Sequence, residues 1–179
     1  MDAPLKSISR AGIGEAIAKA ELYRYLNEPE EAESICRDIL SVDSGHQLAR
    51  RLLGLSVTDQ FTGKAGDRYA EVEEIFQGLK DDYERSYYTG LLHERRAKTQ
   101  LHSGCAAHIL LPLVEQAMRC FAEAEKVRPP GNDDSLLRWN SCVRLLQSHP
   151  EFSAERDAFP QDAEDSPPIN FRVKSTFKP

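Results

Sequence analysis

Tyr87-Tyr88-Thr89-Gly90-Leu91-Leu92-His93-Glu94-Arg95 is the stretch of this 179-residue chain that decides its fold. Its apolar residues follow a helical period rather than the alternation of a strand. A small residue, Gly90, sits among them. Working outward, small residues recur at the same place: Gly54 lies 36 residues earlier, and Ala20 lies 34 before that. Self-similarity at a fixed period of this size marks stacked helical units.

The segments between these anchors are also helical in pattern. From Ile13 to Tyr25, Ala16, Ile17, Ala20 and Tyr23 share one face. Asn27-Glu28-Pro29 breaks that helix, and Pro29 opens the next, where its missing N–H costs nothing. This second helix carries Ala32, Ile35, Cys36, Ile39 and Leu40 to about Val42. A third starts near Gln47, a fourth spans about Asp67 to Leu79, and a fifth starts near Glu84. A sixth ends near Val127, before Pro129-Pro130-Gly131. Asp133 or Asp134 can cap a seventh, whose apolar face is Leu136, Trp139, Cys142, Val143 and Leu146. Short connections make sequential helices antiparallel neighbours. The chain therefore reads as all-α: three helical hairpins plus a closing helix. The domain limits are an arm at 1–10, a helical domain at 11–148, and an acidic, proline-containing tail at 149–179, expected to be mobile and dispensable for folding.

The second helices repeat as well. Ala32-(x3)-Cys36-(x2)-Ile39, Val72-(x3)-Phe76-(x2)-Leu79 and Ala117-(x3)-Phe121-(x2)-Ala124 share a spacing, and Pro129 follows the last. With the small residues Ala20, Gly54 and Gly90, this resembles the tetratricopeptide repeat (TPR) family over about Ile13 to Leu146. The resemblance implies a right-handed α-solenoid of about three hairpins with a C-terminal capping helix. The sequence also departs from that family. The usual aromatic is missing at Ala16 and Arg50, and 27 residues separate Gly90 from Ala117, against 12 from Ala20 to Ala32. Either both helices of the third hairpin are longer by about two turns, with the fifth reaching His102 and Gly104 as its left-handed stop, or residues 98–111 form an ordered loop. In the first case Pro112 kinks the sixth helix or begins it.

Composition excludes several functions. The net charge of −6 disfavours a nucleic-acid partner. The longest apolar run, Ile109 to Val114, is too short to span a bilayer, and Met1 to Arg10 lacks a signal-peptide core. Cys36, Cys105, Cys120 and Cys142 have no framework spacing, which suits free thiols in the cytoplasm. His102-x2-Cys105-x2-His108 would share a face on a continuous helix, but it lacks a fourth ligand, and no metal or other cofactor is expected. No catalytic constellation is legible, so no enzyme activity is expected.

In the TPR family the first helices line a concave face that holds peptides or partner helices. On this register the face comprises Glu21, Arg24, Arg51, Leu55, Tyr87, Leu91, Glu94, Asn140 and Arg144. One ring of Tyr87-Tyr88 points inward and one outward, with Tyr87 taken as the contact residue. The resemblance thus implies a non-enzymatic adaptor for a protein or peptide. The alternatives are a structural subunit of a larger or homo-oligomeric assembly and, behind it, a metal-binding helical domain.

Overall fold

The computed structural model describes residues 3–63, 68–149 and 151–152, apart from the side chains of 107 and 108. Among these residues the structure is entirely helical. A 3₁₀ turn, Arg10–Gly12, leads into α1 (Ile13–Tyr25), α2 (Pro29–Val42), α3 (Gln47–Asp59), α4 (Tyr69–Gln77), α5 (Asp82–His102), α6 (Ala107–Lys126) and α7 (Asp134–Ser148). Each helix packs on the next in sequence, and α1–α3, α3–α5 and α5–α7 also touch. No described helix is long and apolar enough to cross a membrane.

Local chemistry explains the helix ends. Asn27 takes a left-handed φ of 61°, and Pro29 then occupies the first turn of α2. His46 Nδ1 accepts from the Ala49 N–H at 3.2 Å, and the Asp81 carboxylate accepts from the Glu84 N–H at 2.8 Å. Both satisfy donors that a helix start leaves unpaired. At α7 the cap differs from the expectation. The Asp133 carboxylate pairs with Arg128, and the Asn132 side-chain oxygen instead accepts from the Asp134 N–H at 3.0 Å.

The third hairpin is long in both helices. α5 runs to His102, Gly104 has a φ of +80°, and α6 carries Pro112 within its span. This is the extended-hairpin alternative, and Pro112 does not begin α6. Because α5 ends at His102 and a turn precedes Cys105, these two residues do not share a helical face. The side chain of His108 lies outside the described residues. Among the described residues no three His, Cys, Asp or Glu side chains gather as a ligand set.

The recurring small residues are explained by close helix crossings. A Cβ on Gly54 would lie 2.3 Å from Phe76 Cε1, and one on Gly90 would lie 2.8 Å from Phe121 Cε1. Ala20 is fully buried in the same apolar cluster as Cys36. Thus in the second and third hairpins a glycine of the first helix admits an aromatic ring of the second. One apolar cluster joins α1 to α4 with Leu91 and Leu92 of α5, and another joins α5, α6 and α7, with Trp139 packed against it.

α7 ends at Ser148, and burial continues a few residues beyond it. Phe152, read from sequence as tail, is buried against Leu110, with Leu101, Cys105, Leu111 and Leu146 around it. The remainder of the expected tail, residues 153–179, lies outside the described residues.

Candidate functional site

The first helices of the three hairpins lie side by side, and a groove of about 490 Å³ crosses them. α1 contributes Glu21, Arg24 and Tyr25, α3 contributes Arg51, Leu52 and Leu55, and α5 contributes Tyr88. Helical spacing explains the first two sets, because residues three and four apart share a face.

Ion pairs fix the two arginines of this face. Arg24 Nε donates to Asp59 Oδ2 at 2.8 Å, and Arg95 pairs with the same carboxylate from the other side. Arg51 Nη1 is 2.5 Å from Glu84 Oε1, and its guanidinium stands 5.9 Å from the centre of the Tyr88 ring. Burial pushes the Tyr88 phenol above its ordinary pKa, against the opposing pull of Arg51. Tyr88 is therefore a neutral hydroxyl at pH 7, with an apolar body against Phe76 at 5.5 Å. Glu21 stands exposed at one side and Leu55 is largely buried. The groove thus combines two cations, an acid, two phenols and two leucines. It offers contacts for a side-chain-bearing chain, and shows no nucleophile poised beside a base.

Of the residues expected on this face, Glu21, Arg24, Arg51 and Leu55 are brought together. Tyr87, Leu91 and Glu94 do not line the groove and are buried in the contacts of α5 with other helices. Tyr87 stacks on Tyr83 at 5.6 Å and meets Phe121 at 5.9 Å inside the third hairpin. Consecutive helical residues differ by about 100° in direction, so with Tyr87 turned toward α6, Tyr88 faces the groove. The ring that lines this groove is thus Tyr88, where the sequence pointed to Tyr87. Glu94 joins α5 to α7: Lys98 pairs with its Oε1, Ser141 donates to it at 3.3 Å, and Arg138 Nη1 is 3.7 Å from Oε2. Asn140 and Arg144 are exposed on α7 and do not line the groove. Tyr25, Leu52 and Tyr88 were missed from sequence. Tyr88 carried a signal in its place beside Tyr87, and only the direction of α5 distinguishes the two.

A second hollow, of about 520 Å³, lies where α5 and α7 end. It is lined by Lys98, Leu101, His102, Gly104, Cys105, Leu145, His149 and Glu151. Its titratable groups are largely occupied. His102 Nδ1 is 2.6 Å from the Lys98 carbonyl, His149 Nδ1 is 2.9 Å from Glu151, and Lys98 holds Glu94.

Compared with family models, with curated proteins and with solved structures, the chain matches none.

Proposed function

We propose that this chain is a non-enzymatic protein-interaction adaptor, a right-handed solenoid of TPR-like hairpins that takes a peptide or partner protein in the groove across α1, α3 and α5. The observation that carries the reading is the groove itself, because three helices that are not consecutive in sequence contribute side chains to one trough. An extended ligand lying there meets several repeats at once. The groove offers Arg and Tyr, the residue types enriched among binding hot spots.

Stacking of like units is supported by the sequence separation of the ion pairs. Arg51–Glu84, Arg37–Glu71, Arg24–Asp59, Glu33–Arg68 and Asp59–Arg95 span 33, 34, 35, 35 and 36 residues. Each bridges equivalent helices about one repeat apart. The glycine–phenylalanine crossings at Gly54–Phe76 and Gly90–Phe121 support the same arrangement. On this reading the ligand is a protein segment, the acidic chain does not bind nucleic acid, and the protein works in the cytoplasm.

The test is retention of proteins from native cell extract on the immobilised full chain. Tyr25 is 88% exposed, so Tyr25→Ala leaves folding untouched. Tyr25→Ala and Arg51→Ala should each weaken a retained partner by about tenfold or more, as truncation of a hot spot does. Arg119→Ala, on the exposed side of α6, should retain it fully. Equal retention by all three variants would remove the groove as the partner site.

A further inference from the structure

Among the described helices α1 packs on α2 and α3, and part of its remaining face is apolar. Leu22, Tyr25 and Leu26 are 53%, 88% and 53% exposed, and their spacing places them on one stripe of the helix. Around them stand Glu15, Glu21 and Glu28 together with Lys19, all exposed and none with an ion-pair partner among the described residues, so that acids outnumber the one base. Through Tyr25 and Glu21 this apolar, acid-rimmed face runs directly into the groove.

The chain carries a complement to it. In Ile169-Asn170-Phe171-Arg172-Val173-Lys174-Ser175-Thr176-Phe177-Lys178-Pro179, the apolar side chains alternate with the cations, and no acidic residue occurs. An extended segment of this pattern has Phe171, Val173 and Phe177 on one side. Its long basic side chains can reach sideways to neighbouring carboxylates. We propose that residues 169–179 of the same chain dock on this face of α1, seating their aromatic side on Leu22, Tyr25 and Leu26 and their cations on the Glu15–Glu21–Glu28 rim.

The reach is ample. Phe152 is held beside α7, and three steps of about 10 Å between packed helices separate α7 from α1. The eighteen residues 153–170 span up to about 60 Å when extended. A second copy of α1 is a poorer occupant. A twofold contact sets the same patch on both sides, which would bring the three glutamates of one copy into the field of those of the other.

The proposal can be tested on the purified full chain with Tyr25 replaced by the photo-crosslinking residue p-benzoylphenylalanine. After irradiation and digestion, crosslinks should map to residues 169–179. In mixtures of ¹⁵N-labelled and unlabelled protein they should join only chains of the same label. The triple variant Arg172→Glu, Lys174→Glu, Lys178→Glu should lower their yield by about fivefold or more, because the rim attraction becomes repulsion. Crosslinks that avoid residues 169–179, mixed-label pairs, or an undiminished yield in the triple variant would each overturn the proposal. Failure here alongside Arg51-dependent partner capture would leave the adaptor reading standing. Crosslinking that succeeds while capture ignores Arg51 and Tyr25 would remove only the adaptor reading.

Discussion

Replacing Gly54 with alanine adds one methyl group at the crossing of α3 and α4, where it would sit 2.3 Å from Phe76 Cε1, 2.7 Å from Cζ and 2.9 Å from Cδ1. Phe76 is fully buried, with the Tyr88 ring 5.5 Å away, so it has little room to retreat. Overpacking of a filled core costs about 1–3 kcal/mol. Removing glycine from a helix interior returns about 1 kcal/mol. Because the approach is far inside van der Waals contact, we expect the upper end of the first figure and a net loss of about 2 kcal/mol. For a chain of this size that lowers Tm by about 4–8 °C. Circular dichroism at 222 nm, with urea titration for the free energy, reads the change. Gly14→Ala is the matched control, since a Cβ there meets nothing within 4 Å and should stabilise by about 0.5 kcal/mol. Adding Phe76→Leu to Gly54→Ala should recover part of the loss, giving a favourable coupling in a double-mutant cycle. A Gly54→Ala protein that melts at or above wild type would refute the idea that this glycine is a packing requirement.

Three further outcomes follow from other parts of the molecule. Phe152→Ala should cost about 3 kcal/mol, and a chain ending at Pro150 should lose as much, both measurable by urea unfolding; unchanged stability would mean that Phe152 contributes no packing to the end of α6. Tyr87→Ala should cost about 3–5 kcal/mol, while Tyr88→Ala, at the groove, should weaken partner binding as well as stability; a Tyr87→Ala melt like that of wild type would reverse our assignment of the two rings. Glu33 is held down to a pKa of about 2, chiefly by hydrogen bonds from Arg68, with Gln60 and Arg37 adding to it against the cost of burial. A carboxylate depressed in the fold stabilises above its unfolded pKa and loses that contribution as the pH falls. Glu33→Gln should therefore be about 1–2 kcal/mol less stable than wild type at pH 7, allowing for solvent screening, and the gap should close between about pH 4.5 and pH 2; a gap independent of pH would show that the ion pairs with Arg37 and Arg68 contribute nothing.

Helical period and breakers are local, so the sequence by itself determined the all-helical class, the succession of helices and the small residues at Gly54 and Gly90. It narrowed the third hairpin to two forms, because its extra residues fit either longer helices or a loop. Tertiary packing decided between these, since only contact between α5 and α6 can sustain apolar faces of that length. It also decided the site. A helical pattern says which residues share a face, but not which neighbour each face meets, so the turn of about 100° between Tyr87 and Tyr88 was open until α5 settled between α3 and α6. The same holds for Glu94, a surface residue by composition that the α5–α7 contact encloses with Lys98, Arg138 and Ser141. Phe152 likewise reads as tail, because one aromatic has no periodicity, and only its packing against Leu110 gives it a place in the core.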